Sequence, residues 1–144
     1  MAARPVWYYA AEDGEMGRFV FANGNPLLYW PMVVAVGWVA VDWWGRRPAP
    51  LAILAIGFFG QWLPWALSPR GTFVYHFLPA VPLGCIALAV VLWGAWQRGA
   101  WQRGVAVAYG VAVVAVFVWF YPLYTAWPLT PQDVAARMWL PSWR

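Results

Sequence analysis

The stretch SPRGTFVYHFLPAVP, residues 68–82, contains the only histidine of the chain, His76, with Tyr75 beside it and Arg70 a short way before. Arginine offers a planar, permanently charged fork suited to bidentate contact with two oxygens of a phosphate. Imidazole can donate to a phosphate or a sugar hydroxyl, or bond a neighbouring helix, and a lone His on an apolar helix is most often a packing residue. Tyr75 and His76 are consecutive, so on a helix they stand about 100° apart and point to different sides. Ser68 and Thr72 can cap a following helix, Pro69 and Gly71 suit a turn, and Pro79 and Pro82 free carbonyls inside the helix. Two readings therefore stand for this stretch. One is a tight turn between membrane helices; the other is a polar, phosphate-seeking site at a membrane surface.

Other reactive side chains are few. Asp42 and Arg46 have the i,i+4 spacing of an ion pair on one helix face, which favours a structural role over a functional one. Gln61 lies in an apolar run that also holds Gly57, Gly60 and Pro64, where an amide seeks an interhelical partner and glycines permit close approach. The acidic group Glu12, Asp13 and Glu15 reads as a solvated loop. Cys85, alone in an apolar run, makes no disulfide framework within the chain. No glycine-rich phosphate loop, facing pair of carboxylates or metal-spaced cluster appears, so the expectation is no metal and no catalytic residue within these 144 residues.

The elements that must position these residues follow from composition. The chain is 64% hydrophobic and 10% charged, with fourteen Trp, far from the roughly 25% charged content of soluble domains. Four apolar segments, about 27–44, 51–67, 73–96 and 105–121, approach or exceed the ~17–25 residues that span a bilayer as helix. GRRPAP, SPRGT and QRGAWQRG separate them, and connections this short make successive helices antiparallel neighbours. The expected fold is thus all-α, a membrane protein of four antiparallel transmembrane helices. No cleavable signal peptide is expected at the aromatic, acidic start.

Every basic residue is Arg, and the net charge of +4 is dispersed, which disfavours a nucleic-acid partner. Arg46, Arg47, Arg98 and Arg103 lie in the first and third connections, and only Arg70 in the second. The positive-inside tendency then puts both tails and SPRGT outside the cytoplasm, although Arg4, Arg18, Arg137 and Arg144 lie in those tails. WQRG occurs at 96–99 and again at 101–104, an aromatic-basic clamp at anionic headgroups.

Several strings together resemble the C-terminal four-transmembrane region of bacterial protein O-mannosyltransferases. They are RPVWYY, GNPLLYWP, QWLPWALSPRGTFVYHFLPAVP, YPLYTAWPLT and RMWLPSW. The most specific is the pattern carried by Arg70, Phe73, Tyr75, His76, Phe77, Leu78 and Pro79; the second is Asn23, Gly24, Asn25 and Pro26. The resemblance covers essentially the whole chain and implies the C-terminal part of a GT-C-type glycosyltransferase. Such enzymes transfer mannose from a polyprenyl-phosphate carrier to Ser or Thr of exported proteins, on the outer face of the membrane. Their catalytic acidic residue sits in the first external loop, upstream of anything matched here.

The resemblance accordingly implies a multi-pass cell-membrane protein with residues 1–26 as an extracytoplasmic N-terminal segment. Residues 27–122 would form the four-helix domain and 123–144 an extracytoplasmic tail. Arg70, Tyr75 and His76 would bind the phosphate of a polyprenyl-phosphate-mannose donor, with no cofactor held in the chain itself. Expected partners are membrane lipids, the polyprenyl-phosphate-sugar, an N-terminal half or partner subunit, and a secreted acceptor protein. The alternative is a non-catalytic membrane subunit that binds polyprenyl phosphate or scaffolds a complex.

Overall fold

In the computed structural model, residues 6–13, 16–46, 48–68, 73–140 and 143 are described. Two strands, β1 (Val6–Asp13) and β2 (Met16–Ala22), open the chain. Helices α1 (Pro26–Arg46) and α2 (Ala49–Ala66) follow. A short helix α3 (Val74–Phe77) runs through a 3-10 turn, Leu78–Ala80, into α4 (Val81–Trp96). The chain continues with α5 (Ala100–Tyr124), the two-residue strand β3 (Pro128–Leu129) and α6 (Pro131–Arg137).

Pro26–Arg46, Ala49–Ala66, Val74–Trp96 and Ala100–Tyr124 are each long and apolar enough to cross a membrane. The break at Leu78–Ala80 is local: Pro79 and Pro82 lack amide protons, and the chain tightens to 3-10 geometry where two α-helical bonds cannot form. Helix α5 begins at Ala100 rather than near 105, because the second WQRG is helical. Its start is set by Gly99, whose φ of 151° is costly for any residue with a side chain. At its other end Ala126, φ 54°, takes the left-handed position and the Trp127 N–H reaches back to the Pro122 carbonyl at 3.2 Å. That pairing closes the helix as a Schellman motif.

Helix α1 packs on α2 and α4. Met32, Ala35, Val36 and Val39 of α1 meet Leu54 and Phe58 of α2 and Ala87 and Leu88 of α4 in one buried cluster. Gly84 permits this approach, since a Cβ there would strike the Met32 side chain. Gly57 does the same towards Leu83, whereas a Cβ on Gly60 meets nothing within 4 Å. Of the two glycines expected to allow close packing, one does so within this chain.

The first and last segments of the chain join in a three-stranded antiparallel sheet of order β1-β2-β3. The acidic group taken as a loop belongs in part to this hairpin: Glu12 pairs with Gly17 and Asp13 with Met16. The sequence did carry a hairpin signal, the Asp13-Gly14 dipeptide before the alternating RFVFA. A register shift between Trp7 and Tyr9 leaves Tyr8 as the extra residue of a bulge. Phe21, Phe120, Leu123, Leu129, Met138 and Trp143 form a second buried cluster that fastens the sheet and the C-terminal segment to α5. Both segments therefore lie at the same end of the helices.

Candidate functional site

Helix α3 starts at the sheet end of the molecule, directly after the connection from α2. Its N-cap is Phe73, not Ser68 or Thr72, and the cap is made with His76. The Phe73 N–H donates to His76 Nδ1 at 3.3 Å, and the His76 N–H donates to the Phe73 carbonyl at 3.1 Å. The imidazole takes the part that a Glu or Gln side chain plays at the third helical position of a capping box, while the second bond is an ordinary backbone turn, since Phe73 has no side-chain acceptor.

Aromatic rings crowd the imidazole. Trp65, from the last turn of α2, lies 4.1 Å from it between centroids at 39°, and Tyr75 lies 4.2 Å away at 37°. Phe73 stacks on Tyr75 at 5.6 Å and 13°. Tyr75 and His76 are consecutive in α3, and their side chains fold towards each other so that the rings meet. Trp65 is 39% exposed and Tyr75 43%, so the stack is open at its surface. Beneath it, Phe77 meets Tyr29 at 5.4 Å and Phe58 at 5.7 Å, both edge to face, which anchors α3 on the main core. Arg70, with Pro69, Gly71 and Thr72, lies outside the described residues.

A second polar centre occupies the Asn-Gly-Asn-Pro junction between sheet and α1. Asn25 is the N-cap of α1: its Oδ1 accepts from the Leu27 N–H at 3.0 Å, and its Nδ2 donates to the Val113 carbonyl at 2.9 Å. Tyr109 of α5 donates its hydroxyl to the Leu27 carbonyl at 2.6 Å, and the Tyr124 hydroxyl reaches the Asn23 carbonyl at 3.4 Å. Gly24 lies under the Tyr29 ring, where any Cβ would collide. Asn23 is 9% exposed, and its amide atoms have no partner among the described residues. Pro26 fits the first helical position, where no amide proton is required.

The C-terminal helix is pinned by Arg137, whose side chain is 12% exposed. Its Nε donates to the Trp119 carbonyl at 3.0 Å, its guanidinium lies 4.6 Å over the Trp119 ring, and it donates to the Asp133 carbonyl at 2.8 Å. The Thr130 hydroxyl donates to Asp133 Oδ2 at 2.7 Å and accepts from the Asp133 N–H at 3.2 Å. This bond, reinforced by the Thr130 N–H and by Arg137, holds the Asp133 carboxyl below its ordinary range.

At the opposite end of the helices, Asp42 and Arg46 form the expected ion pair at 3.0 Å. Arg103 of the second WQRG folds over Trp96 of the first, 5.8 Å from the ring, and donates Nε to the Trp96 carbonyl at 3.1 Å. The side chain of Gln61, expected to bond another helix, makes no hydrogen bond among the described residues. Those residues hold no group of three His, Cys, Asp or Glu able to bind a metal. The sequence pattern singles out Tyr75 and His76 but not Trp65, nor the roles of Asn25, Tyr109 and Arg137.

Four apolar helices with a small sheet at one end define a multi-pass membrane protein. The model of the C-terminal four-transmembrane region of protein-O-mannosyltransferase matches residues 1–143, and the chain belongs to that family. It is similar to the polyprenol-phosphate-mannose–protein mannosyltransferase of Corynebacterium glutamicum, at 27% identity over 100% of this chain and 30% of that protein. The enzyme of the same name from Mycobacterium tuberculosis is 26% identical over the same shares. Dolichyl-phosphate-mannose–protein mannosyltransferase 1 of Saccharomyces cerevisiae is 23% identical over 90% of this chain and 19% of the yeast protein. The chain thus spans less than a third of the length of these relatives.

Proposed function

We propose that this chain is the carrier-side membrane region of an enzyme that transfers mannose from polyprenyl-phosphate-mannose to Ser or Thr of exported proteins. The observation that carries the reading is the open stack of Trp65, His76 and Tyr75 at the sheet end, immediately after the segment that holds Arg70. It supplies a ring nitrogen and a hydroxyl beside aromatic surface, a combination suited to a phosphate on an isoprenoid tail. Arg70 adds the fixed cation, which stabilises charge developing on the departing polyprenyl phosphate.

The sheet end is the extracytoplasmic one in this reading, because Arg46, Arg98 and Arg103 lie at the other end. Residues 1–26 and 123–144 are then the outer segments and 27–122 the membrane domain. Among the described side chains the carboxylates are those of Asp42, ion-paired at the far end, and Asp133, engaged in the α6 cap. Activation of the acceptor hydroxyl as a general-base step falls, by the resemblance, to the acidic residue of the first external loop, in the part of the relatives that this chain does not span.

Binding of labelled polyprenyl phosphate to the chain in phosphatidylcholine nanodiscs tests the reading. Arg70→Ala and His76→Leu should each weaken binding by about tenfold, the scale of one lost charged hydrogen bond. In an enzyme carrying this region, Arg70→Ala should also lower mannosyl transfer. Unchanged binding and wild-type transfer would overturn the assignment, and binding without transfer in any complex would favour a non-catalytic lipid-binding subunit.

A further inference from the structure

The His76 imidazole has two nitrogens with unequal tasks. Nδ1 accepts the Phe73 N–H at 3.3 Å, so it cannot carry a proton while that bond exists. In neutral imidazole the remaining nitrogen must then be the protonated one. The bond is not incidental, since Phe73 is the N-cap of α3 and its amide is one of the donors that a helix start leaves without an internal partner. The ring plane is fixed in turn by Trp65 on one helix and Tyr75 on the other. Backbone sets the tautomer, and the two rings set the direction.

We infer that His76 works in the outer site as a neutral imidazole locked with its proton on Nε2, a hydrogen-bond donor to a polyprenyl phosphate oxygen rather than a proton acceptor. The inference rests on the lipid-phosphate reading given above and deepens it. An Nε2–H aimed at a phosphate oxygen strengthens as negative charge gathers on that oxygen when the sugar departs, without any proton leaving the ring. A base would require a free lone pair on Nε2, and the Phe73 amide takes the lone pair of Nδ1 instead. Trp65 and Tyr75 are positioning residues for this donor.

The chain has one histidine, so selective 15N-histidine labelling reads a single imidazole. In phosphatidylcholine nanodiscs at alkaline pH, long-range 1H–15N spectra should show the proton on Nε2 and an acceptor-type Nδ1. Adding polyprenyl monophosphate should shift the Nε2 resonance, and inorganic phosphate or phosphatidylglycerol should shift it less. Protonated Nδ1, or a fast mixture of tautomers, overturns the inference even if polyprenyl phosphate still moves the ring. An Nε2–H that no polyprenyl phosphate perturbs overturns the lipid-phosphate reading, and the donor role with it.

A variant separates donor from base by binding alone. His76→Gln keeps an acceptor for the Phe73 N–H, as the third residue of a capping box does, and keeps donating protons beyond it. It should hold polyprenyl phosphate nearly as well as wild type, while His76→Leu loses about tenfold. Equal losses in the two variants sink the donor assignment. Trp65→Leu should broaden the Nε2–H signal and weaken the lipid response, and Trp65→Phe should restore both; a Trp65→Leu protein with an unchanged His76 signal removes Trp65 from the site.

Discussion

The side-chain amide of Asn25 donates to the carbonyl of Val113 at 2.9 Å, tying the first turn of α1 to the middle of α5. The same residue caps α1 through its Oδ1. Helix α5 continues from Val113 to Tyr124, about 16 Å at 1.5 Å per residue, and that outer part carries Phe120 and Leu123 against Phe21 of the sheet. One asparagine therefore sets how far α5 rises past α1 and where the sheet can sit.

Asn25→Ala should lose both bonds. The cap contributes about 0.5–2 kcal/mol and an interhelical bond in a membrane about 0.6, so a loss of roughly 1–3 kcal/mol is expected. Asn25→Asp retains the cap acceptor and should recover most of the cap share alone. Reversible unfolding in mixed micelles measures both; a neutral Asn25→Ala removes the junction from the stability of the bundle.

Gly84→Ala places a methyl against Met32 and towards Phe58 in the main core, and overpacking of this kind costs about 1–3 kcal/mol. Gly60→Ala meets nothing within 4 Å in this chain and should be neutral or slightly stabilising, since Ala is up to ~1 kcal/mol the better helix former. The comparison of the two melting temperatures checks the close approach of α1 and α4.

Ala126 takes φ 54° at the position after the α5 C-cap. A residue with a Cβ is disfavoured there by about 1–2 kcal/mol, and glycine is not. Ala126→Gly should raise stability by up to ~1 kcal/mol, allowing for the greater freedom glycine gains on unfolding. A lower melting temperature for Ala126→Gly would contradict the Schellman geometry.

The Asp133 carboxyl is held below its ordinary range by the Thr130 hydroxyl first, then the Thr130 amide and Arg137. A depressed folded value means that stability from this group is present above the unfolded value and disappears as pH falls through the folded one. Hydrogen-exchange protection factors in α6, which correct for the intrinsic pH dependence of amide exchange, should fall on acidification below the usual carboxylate range. Asp133→Asn should exchange faster at neutral pH and lose that pH dependence; a mutant with the same acid response as wild type would show that other carboxyls control it.

The four apolar helices were legible because the bilayer imposes a length on each run of residues, and length is a local property of the chain. The Asp42–Arg46 pair was legible for the same reason, since i,i+4 neighbours meet on any helix. The breaks at proline and glycine could also be read, as they follow from a missing amide proton or a missing Cβ.

What the tertiary structure decided is which distant segments meet. β2 pairs with β3 across more than a hundred residues, Arg137 reaches back to Trp119, and Trp65 comes down on His76 only because α2 and α3 converge. Those contacts depend on helix order, stagger and the angle of one turn, and no short-range periodicity encodes them. The sequence alone left His76 between two readings, a packing residue and a polar group at a membrane surface. The fold decided that its Nδ1 accepts from a backbone amide and that the rings of Trp65 and Tyr75 crowd against it.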